Sequence, residues 1–69
     1  MRPVFDGKLG ERVRIESGDF YNQKVGKVIR KHPLSSDTFY IVEFDTPVDA
    51  GGYPIFSAAF APSELQIIV

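Results

Sequence analysis

The chain contains no cysteine and no tryptophan, and it has a single histidine, His32. Without cysteine, no disulfide can brace the fold, and His32 has no second imidazole or thiol with which to form a zinc site. Long apolar runs are also missing, which argues against a membrane-spanning helix or a signal peptide in the sequence as given. We therefore expect a soluble, cytoplasmic protein with no metal and no cofactor.

Size limits how this chain can be stable. Its 69 residues fit one domain, 1–69, which buries only about 60% of the surface that the unfolded chain exposes. Small domains usually add disulfides, metals or oligomerisation, and only the last of these is open to this chain. A hydrophobic content of 43%, with six Phe and three Tyr, excludes a disordered protein.

Basic residues are absent from the second half of the chain. All eight Lys and Arg residues lie within the first 31 positions, so segment 1–32, with four acidic residues, has a net charge of +4. Segment 33–69 has five acidic and no basic residues, a net charge of −5. Such a dipole can attract an anionic partner to one face or orient two copies of the chain.

Alternating apolar and polar residues, interrupted by Gly, Pro, Asn, Asp and Ser, predict an all-β fold. Val13 and Ile15 alternate with charged residues, and Gly26 suggests a bulge or sharp bend in the second strand. The predicted strands are 12–16, 24–31, 39–44, 53–58 and 65–69, with a 3₁₀ turn at 61–64 and loops at 17–23, 32–37 and 45–52. Five short strands with such a turn before the last are typical of a small SH3-like barrel, and closure would remove exposed strand edges.

The predicted core gathers apolar residues from four of these strands. Because the third strand is almost entirely apolar, we expect both of its sides to be substantially covered. The predicted core residues are Val13, Ile15, Val28, Ile41, Val42, Phe44 and Leu65.

Segment 10–20, Gly-Glu-Arg-Val-Arg-Ile-Glu-Ser-Gly-Asp-Phe, is followed by Gly26-Lys27-Val28. This pattern resembles the KOW motif of ribosomal and transcription-elongation proteins, over about a third of the chain. Asn22 stands where the family usually has glycine, and asparagine tolerates the left-handed conformation. The resemblance implies an SH3-like barrel and, as an alternative function, a module that associates with RNA or ribosomes.

A second resemblance is to the plasmid-borne type II dihydrofolate reductases, which are tetramers of small SH3-like barrels. The matching positions are Val4-Phe5, 10–14, Ser17-Gly18, Val25-Gly26 and 65–67. The pore motif of that family falls on 57–60, here Ser-Ala-Ala-Phe, and its pore lysine falls near Ile15. Since the active-site Gln and Lys are absent, the resemblance implies the fold and, as a second alternative, a small-molecule site at an oligomer pore, but not folate reduction.

Two groups of residues in the first half are candidates for binding. Phe20 and Tyr21 are adjacent aromatics in a loop, and both cannot enter the core. Either Phe20 caps the barrel with Tyr21 on the surface, or Tyr21 belongs to a stacking or peptide-binding platform; the lack of Trp argues against a reader of proline-rich peptides. The basic candidates, suited at most to weak nucleic-acid binding at a pI of about 5.7, are Arg12, Arg14, Lys27 and Arg30.

The second half offers a candidate interface. No charge occurs from Gly51 to Ser63, a run longer than one small core needs. Its aromatic residues Tyr53, Phe56 and Phe60 are candidates for a subunit or partner contact, although Phe56 and Phe60 are equally compatible with the core.

No catalytic group is identifiable in the sequence. His32 has no nucleophile or orienting acid beside it, and Asp45 and Asp49 lack the regular oxygen spacing of a calcium loop. We therefore predict no enzymatic activity and no catalytic or metal-binding residues. The predicted function is a small binding or assembly module that acts through protein–protein contacts, including self-association.

Overall fold

The computed structural model describes residues 5–18, 20–33 and 37–68. Predictions that involve Val4, Asp19, Val69 and positions 34–36 lie outside the described residues. The elements are the strands β1 (Arg12–Ile15), β2 (Val25–Pro33), β3 (Thr38–Ala50) and β4 (Tyr53–Phe60), the 3₁₀ helix η1 (Pro62–Glu64) and the strand β5 (Leu65–Ile67).

The five strands form a single antiparallel sheet in the order β4-β3-β2-β1-β5. The all-β class, the five strands and the 3₁₀ turn before the last strand are confirmed. The sheet is not closed into a barrel, because within the described residues β4 and β5 stand at opposite ends of the strand order and share no ladder. Two sheet edges therefore exist where full closure would leave none.

Among the described residues, ten form the core: Phe5, before β1, and nine residues that come from all five strands. Six of the seven predicted core residues are among them, whereas Ile41 is only partly buried because it lies on the opposite face of β3. Phe5 and Tyr40 join the core through an edge-to-face contact, with ring centroids 4.7 Å apart. The core residues are Phe5, Val13, Ile15, Val28, Tyr40, Val42, Phe44, Val48, Phe60 and Leu65.

Strand β2 contains a bulge, but not at the predicted position. The register with β3 shifts between Val28 and Arg30, so Ile29 is the extra residue and is exposed. Gly26 instead lies in register opposite Phe44, where the backbones approach closely. A Cβ atom on Gly26 would lie 2.3 Å from the carbonyl oxygen of Glu43. Glycine is therefore required for strand packing rather than for a bend.

Strand β3 is much longer than predicted. The segment expected to be a loop, 45–52, is mostly strand, and only Gly51 and Gly52 form a turn. Their φ values of 66° and 99° suit a two-residue hairpin, which needs positive φ at both central positions. Strand β2 likewise extends to Pro33, so the exposed His32 lies in a strand and not in a loop.

Candidate functional site

Strand β4 exposes apolar side chains at one edge of the sheet. Tyr53 is 76% exposed and Phe56 is 61% exposed, whereas Phe60 is buried in the core. The segment from Gly51 to Ser63 carries no charge. Two of the three predicted interface residues therefore lie on the surface, and the third does not. We refer to Tyr53–Phe60, with its outward-facing backbone, as the open edge.

The register between β3 and β4 explains why Phe56 is exposed. Glu43 pairs with Ser57 and Val48 pairs with Ile55, so four residues of β3, 44–47, lie opposite Phe56 alone. The extra residues make β3 arch away from its neighbour at this point. Phe56 consequently has no Cα partner on β3, and its ring is left in solvent.

The hydrogen bonds between β1 and β2 determine the direction of the backbone groups across the sheet. The N–H of Val28 donates to the carbonyl of Glu11 at 3.0 Å, and its carbonyl accepts from the N–H of Gly10 at 2.7 Å. Both polar groups of Val28 therefore point toward β1. In an antiparallel pair, residues opposite one another either exchange both bonds or exchange none. Val42, which lies opposite Val28, accordingly directs its polar groups toward β4.

This alternation shows which groups of β4 remain available. Ala58 lies opposite Val42 and therefore exchanges its backbone bonds with β3. Its neighbours Ser57 and Ala59 direct their N–H and C=O groups the other way, where no further strand exists among the described residues. The open edge thus presents unpaired backbone donors and acceptors beside an exposed aromatic ring.

In the loop before β2, the two aromatics have exchanged the roles considered from the sequence, in which Phe20 caps the core and Tyr21 lies on the surface. Tyr21 is half-buried and stacks on Phe44, with centroids 5.5 Å apart and an interplanar angle of 12°, and it also contacts the edge of Phe60 at 5.4 Å. Phe20 is 53% exposed and touches Tyr21 edge-to-face at 5.0 Å. Tyr21 therefore closes the core, and Phe20 is the exposed ring.

The conformation of this loop also differs from the expectation for Asn22. The residue with positive φ is Gln23, at 70°, and Asn22 is not left-handed. The side chain of Gln23 donates to Glu16 at 3.1 Å, and its N–H donates to the carbonyl of Ile15 at 2.7 Å. These two bonds hold the strained residue in place.

The four basic candidates divide into two pairs. Arg12 forms an ion pair with Asp45 on β3, and Arg14 lies 3.6 Å from a carboxylate oxygen of Glu16. Lys27 lies opposite Arg12 in the β1–β2 register, so both are on the outer face of the sheet. Within the described residues, the exposed side chains of Lys27 and Arg30 form no ion pair.

A cleft of about 360 Å³ lies between the start of β2 and the arch of β3. It is lined by Lys24 and by segment 45–49, which includes both aspartates considered from the sequence. Asp45 is engaged by Arg12, and Asp49 accepts a bond from the N–H of Gly52 at 2.9 Å. The carboxylates of the cleft are therefore already used by the fold.

In the part of the chain that the structure describes, no group of three His, Cys, Asp or Glu side chains is placed to hold a metal ion. No helix among the described residues is long and apolar enough to cross a bilayer.

No protein-family profile, curated protein or solved structure matches this chain.

The apolar run of the open edge was predictable from the sequence. The outward direction of its backbone N–H and C=O groups was not. Ser57 and Ala59 have side chains with no distinctive chemistry, and their importance depends on the direction of their N–H groups. That direction follows only from the successive pairing of β1 with β2, β2 with β3 and β3 with β4. The signal available in the sequence was the absence of Lys and Glu from a strand, since edge strands commonly carry charges that prevent pairing.

Proposed function

We propose that this protein is a non-enzymatic protein-binding module whose contact surface is the open edge of β4. The observation that supports this function is the combination of exposed Tyr53 and Phe56 with outward-facing backbone groups on an uncharged strand. An extended partner segment can add to such an edge through main-chain hydrogen bonds, while pockets beside it select side chains. The strand order and the 3₁₀ helix before β5 also support the SH3-like relationship proposed from the sequence.

The energetics favour apolar contact at this surface. Covering a large apolar side chain such as Phe56 contributes about 1.5–3 kcal/mol. A partner strand would also satisfy the N–H and C=O groups of Ser57 and Ala59, which water now solvates. Each of these backbone hydrogen bonds contributes about 0.5–1.5 kcal/mol net, so the ladder and the ring both contribute to the affinity.

The test compares aspartate substitutions at matched exposed positions. Phe56→Asp places a charge at the centre of the open edge, whereas Leu9→Asp alters a residue of similar exposure, at 52%, in the loop before β1. Each immobilised variant is used to capture proteins from a lysate of the source organism, with circular dichroism as the control for folding. We expect Phe56→Asp to lose proteins that wild type and Leu9→Asp both retain. Identical captured sets for all three proteins would contradict the proposed surface.

A second candidate function is weak RNA binding through β2, as the KOW resemblance implies. The supporting observation is that Lys27 and Arg30 are exposed and have no ion-pair partner within the described residues. Binding of this kind is driven by counterion release, so log K falls linearly with log salt. Fluorescence anisotropy with a labelled single-stranded RNA should show affinity that is lost between about 50 and 200 mM salt. Affinity that persists at high salt, or that survives Lys27→Gln with Arg30→Gln, would contradict this electrostatic mode.

A further inference from the structure

We infer that the open edge binds a second copy of this chain, through antiparallel β4–β4 pairing about a two-fold axis at Ala58. The inference rests on the proposed function, because it names the partner of the surface proposed above. It specifies a register and a set of hydrogen bonds, each derived from the described residues.

The backbone groups of the open edge select this register. With the axis at Ala58, Ser57 lies opposite Ala59 of the second copy, and Ala59 lies opposite its Ser57. All four residues direct N–H and C=O groups outward, so the two pairs exchange four hydrogen bonds. The two Ala58 residues face each other as a non-hydrogen-bonded pair, which brings the backbones closest where the side chain is a single methyl group.

Neighbouring registers lack suitable groups. An axis at Ala59 would place Ser57 opposite Ala61, whose N–H donates to the Glu64 carboxylate at 3.0 Å and whose carbonyl accepts from the Glu64 N–H at 2.9 Å. An axis at Ser57 would place Ala59 opposite Ile55. The hairpin closes with the pair Ala50–Tyr53, so Ile55 two residues later directs its polar groups to Val48 on β3.

Two prolines flank the same ladder. Pro54 lies near the start of β4, and Pro62 begins η1 after β4 has ended, each four positions from Ala58. Proline has no N–H to donate, and a proline inside the ladder would remove a bond. The register at Ala58 places both prolines outside the four bonds.

Side chains fit this arrangement as well. The axis at Ala58 places Phe56 opposite Phe60 of the second copy. Ile55 packs against the core opposite Val48, so the alternation of β4 is interrupted at the arch and Phe56 remains 61% exposed. In the dimer this exposed ring would lie beside the strand of the second copy. The open edge carries no charge to oppose this approach.

The size of the contact sets the expected affinity. A ladder of four hydrogen bonds is a small contact compared with the about 1,200–2,000 Å² of stable specific interfaces. We therefore expect a dimer that dissociates in the micromolar range, about −8 kcal/mol at 1 μM.

Disulfide trapping tests the register directly. The wild-type chain has no cysteine, so a single-cysteine variant can form a disulfide only between copies. Ala58→Cys places the two sulfurs at a non-hydrogen-bonded pair with Cα atoms about 4.5 Å apart, within disulfide range. Ser57→Cys is the control, because the two Ser57 residues are offset by two positions and their Cα atoms lie beyond the about 7 Å limit.

At equal concentration under mild oxidation, Ala58→Cys should form at least about ten times more dimer than Ser57→Cys. Equal yields, or no dimer above that of the fully denatured chains, would overturn the inference.

Sedimentation of a proline variant provides an independent measurement. Ser57→Pro removes an N–H that points outward, so the intrachain sheet is kept while the ladder between copies is broken. Wild type should sediment as a dimer at 100–200 μM, about 100 times the 1 μM reference dissociation constant, and folded Ser57→Pro as a monomer. Ser57→Lys replaces it if circular dichroism shows that the proline variant is unfolded.

The outcomes separate the two proposals. A monomeric wild type, or a dimer that survives Ser57→Pro or its replacement Ser57→Lys, overturns self-pairing. This holds even if Phe56→Asp still abolishes capture of other proteins. A dimer trapped through Ala58→Cys supports self-pairing even if that capture experiment finds no other partner.

Discussion

Gly26 occupies a position where one added methyl group has no space. A Cβ atom there would lie 2.3 Å from the carbonyl oxygen of Glu43, 2.9 Å from its carbonyl carbon and 2.7 Å from Cγ1 of Val42. The side-chain contact can be relieved by rotation, but the two backbone contacts require β2 and β3 to separate. Gly26→Ala therefore forces a shift in the centre of the sheet, between the buried positions of β1 and β3.

The loss of stability in Gly26→Ala follows from the cost of overpacking, which is about 1–3 kcal/mol or more when the backbone must move. A chain of this size has a net stability of about 3–10 kcal/mol, at 0.05–0.15 kcal/mol per residue. Each kcal/mol lowers the melting temperature of such a domain by about 4–8 °C. We therefore expect Gly26→Ala to lower the Tm by at least about 8 °C, from a loss of about 2 kcal/mol.

Thermal unfolding followed by circular dichroism measures this effect, and a double variant identifies its cause. Val42→Ala removes Cγ1 but leaves the carbonyl of Glu43 in place, so adding it to Gly26→Ala should restore nothing. A Tm within about 2 °C of wild type for Gly26→Ala, well under the 4–8 °C expected per kcal/mol, would refute the reasoning. Rescue by Val42→Ala would show that the side chain, and not the backbone, is the obstacle.

Three further predictions concern stability in urea or on heating. Phe44→Ala should cost about 3–5 kcal/mol, because the ring is buried and packs on Tyr21 and Phe60, and an unchanged thermal midpoint would contradict the five-stranded assignment. Asp45→Asn should cost less than about 1 kcal/mol in urea unfolding, because its ion pair with Arg12 is solvent-exposed; a loss above 2 kcal/mol, well beyond that range, would show that the pair is not screened. Gln23→Gly should change stability by less than about 1 kcal/mol, because relief of the positive φ offsets the lost bond to Glu16, and a larger loss would indicate that the side-chain bond dominates.

The sequence predicted the parts of this fold that depend on local alternation. Val13 and Ile15 face the core as their pattern requires, and the turn around Pro62 follows from proline at the start of a short helix. The extension of β3 through Asp45 to Ala50 was missed because the local composition is that of a loop. Pairing of Val48 with Ile55, made possible by the turn at Gly51 and Gly52, overrides that composition.

The candidate surface was only partly predictable for a related reason. Composition marked Tyr53, Phe56 and Phe60 equally, whereas the arch of β3 leaves Phe56 exposed and the pairing with Tyr40 places Phe60 in the core. Phe20 and Tyr21 are likewise equivalent by composition, since neighbouring loop aromatics have no periodicity that assigns one to the core.

The pairing of β1 with β5 has a consequence for the order of folding. The β3–β4 hairpin closes through two residues, whereas Ile15 and Leu65 pair across 50 positions of the chain. Loop closure over such a distance costs entropy that only the completed core can offset. Strand β5 is therefore expected to join last and to leave first. In native-state hydrogen exchange, the amide of Ile68, which bonds to Arg12 at 3.0 Å, should exchange before that of Val28.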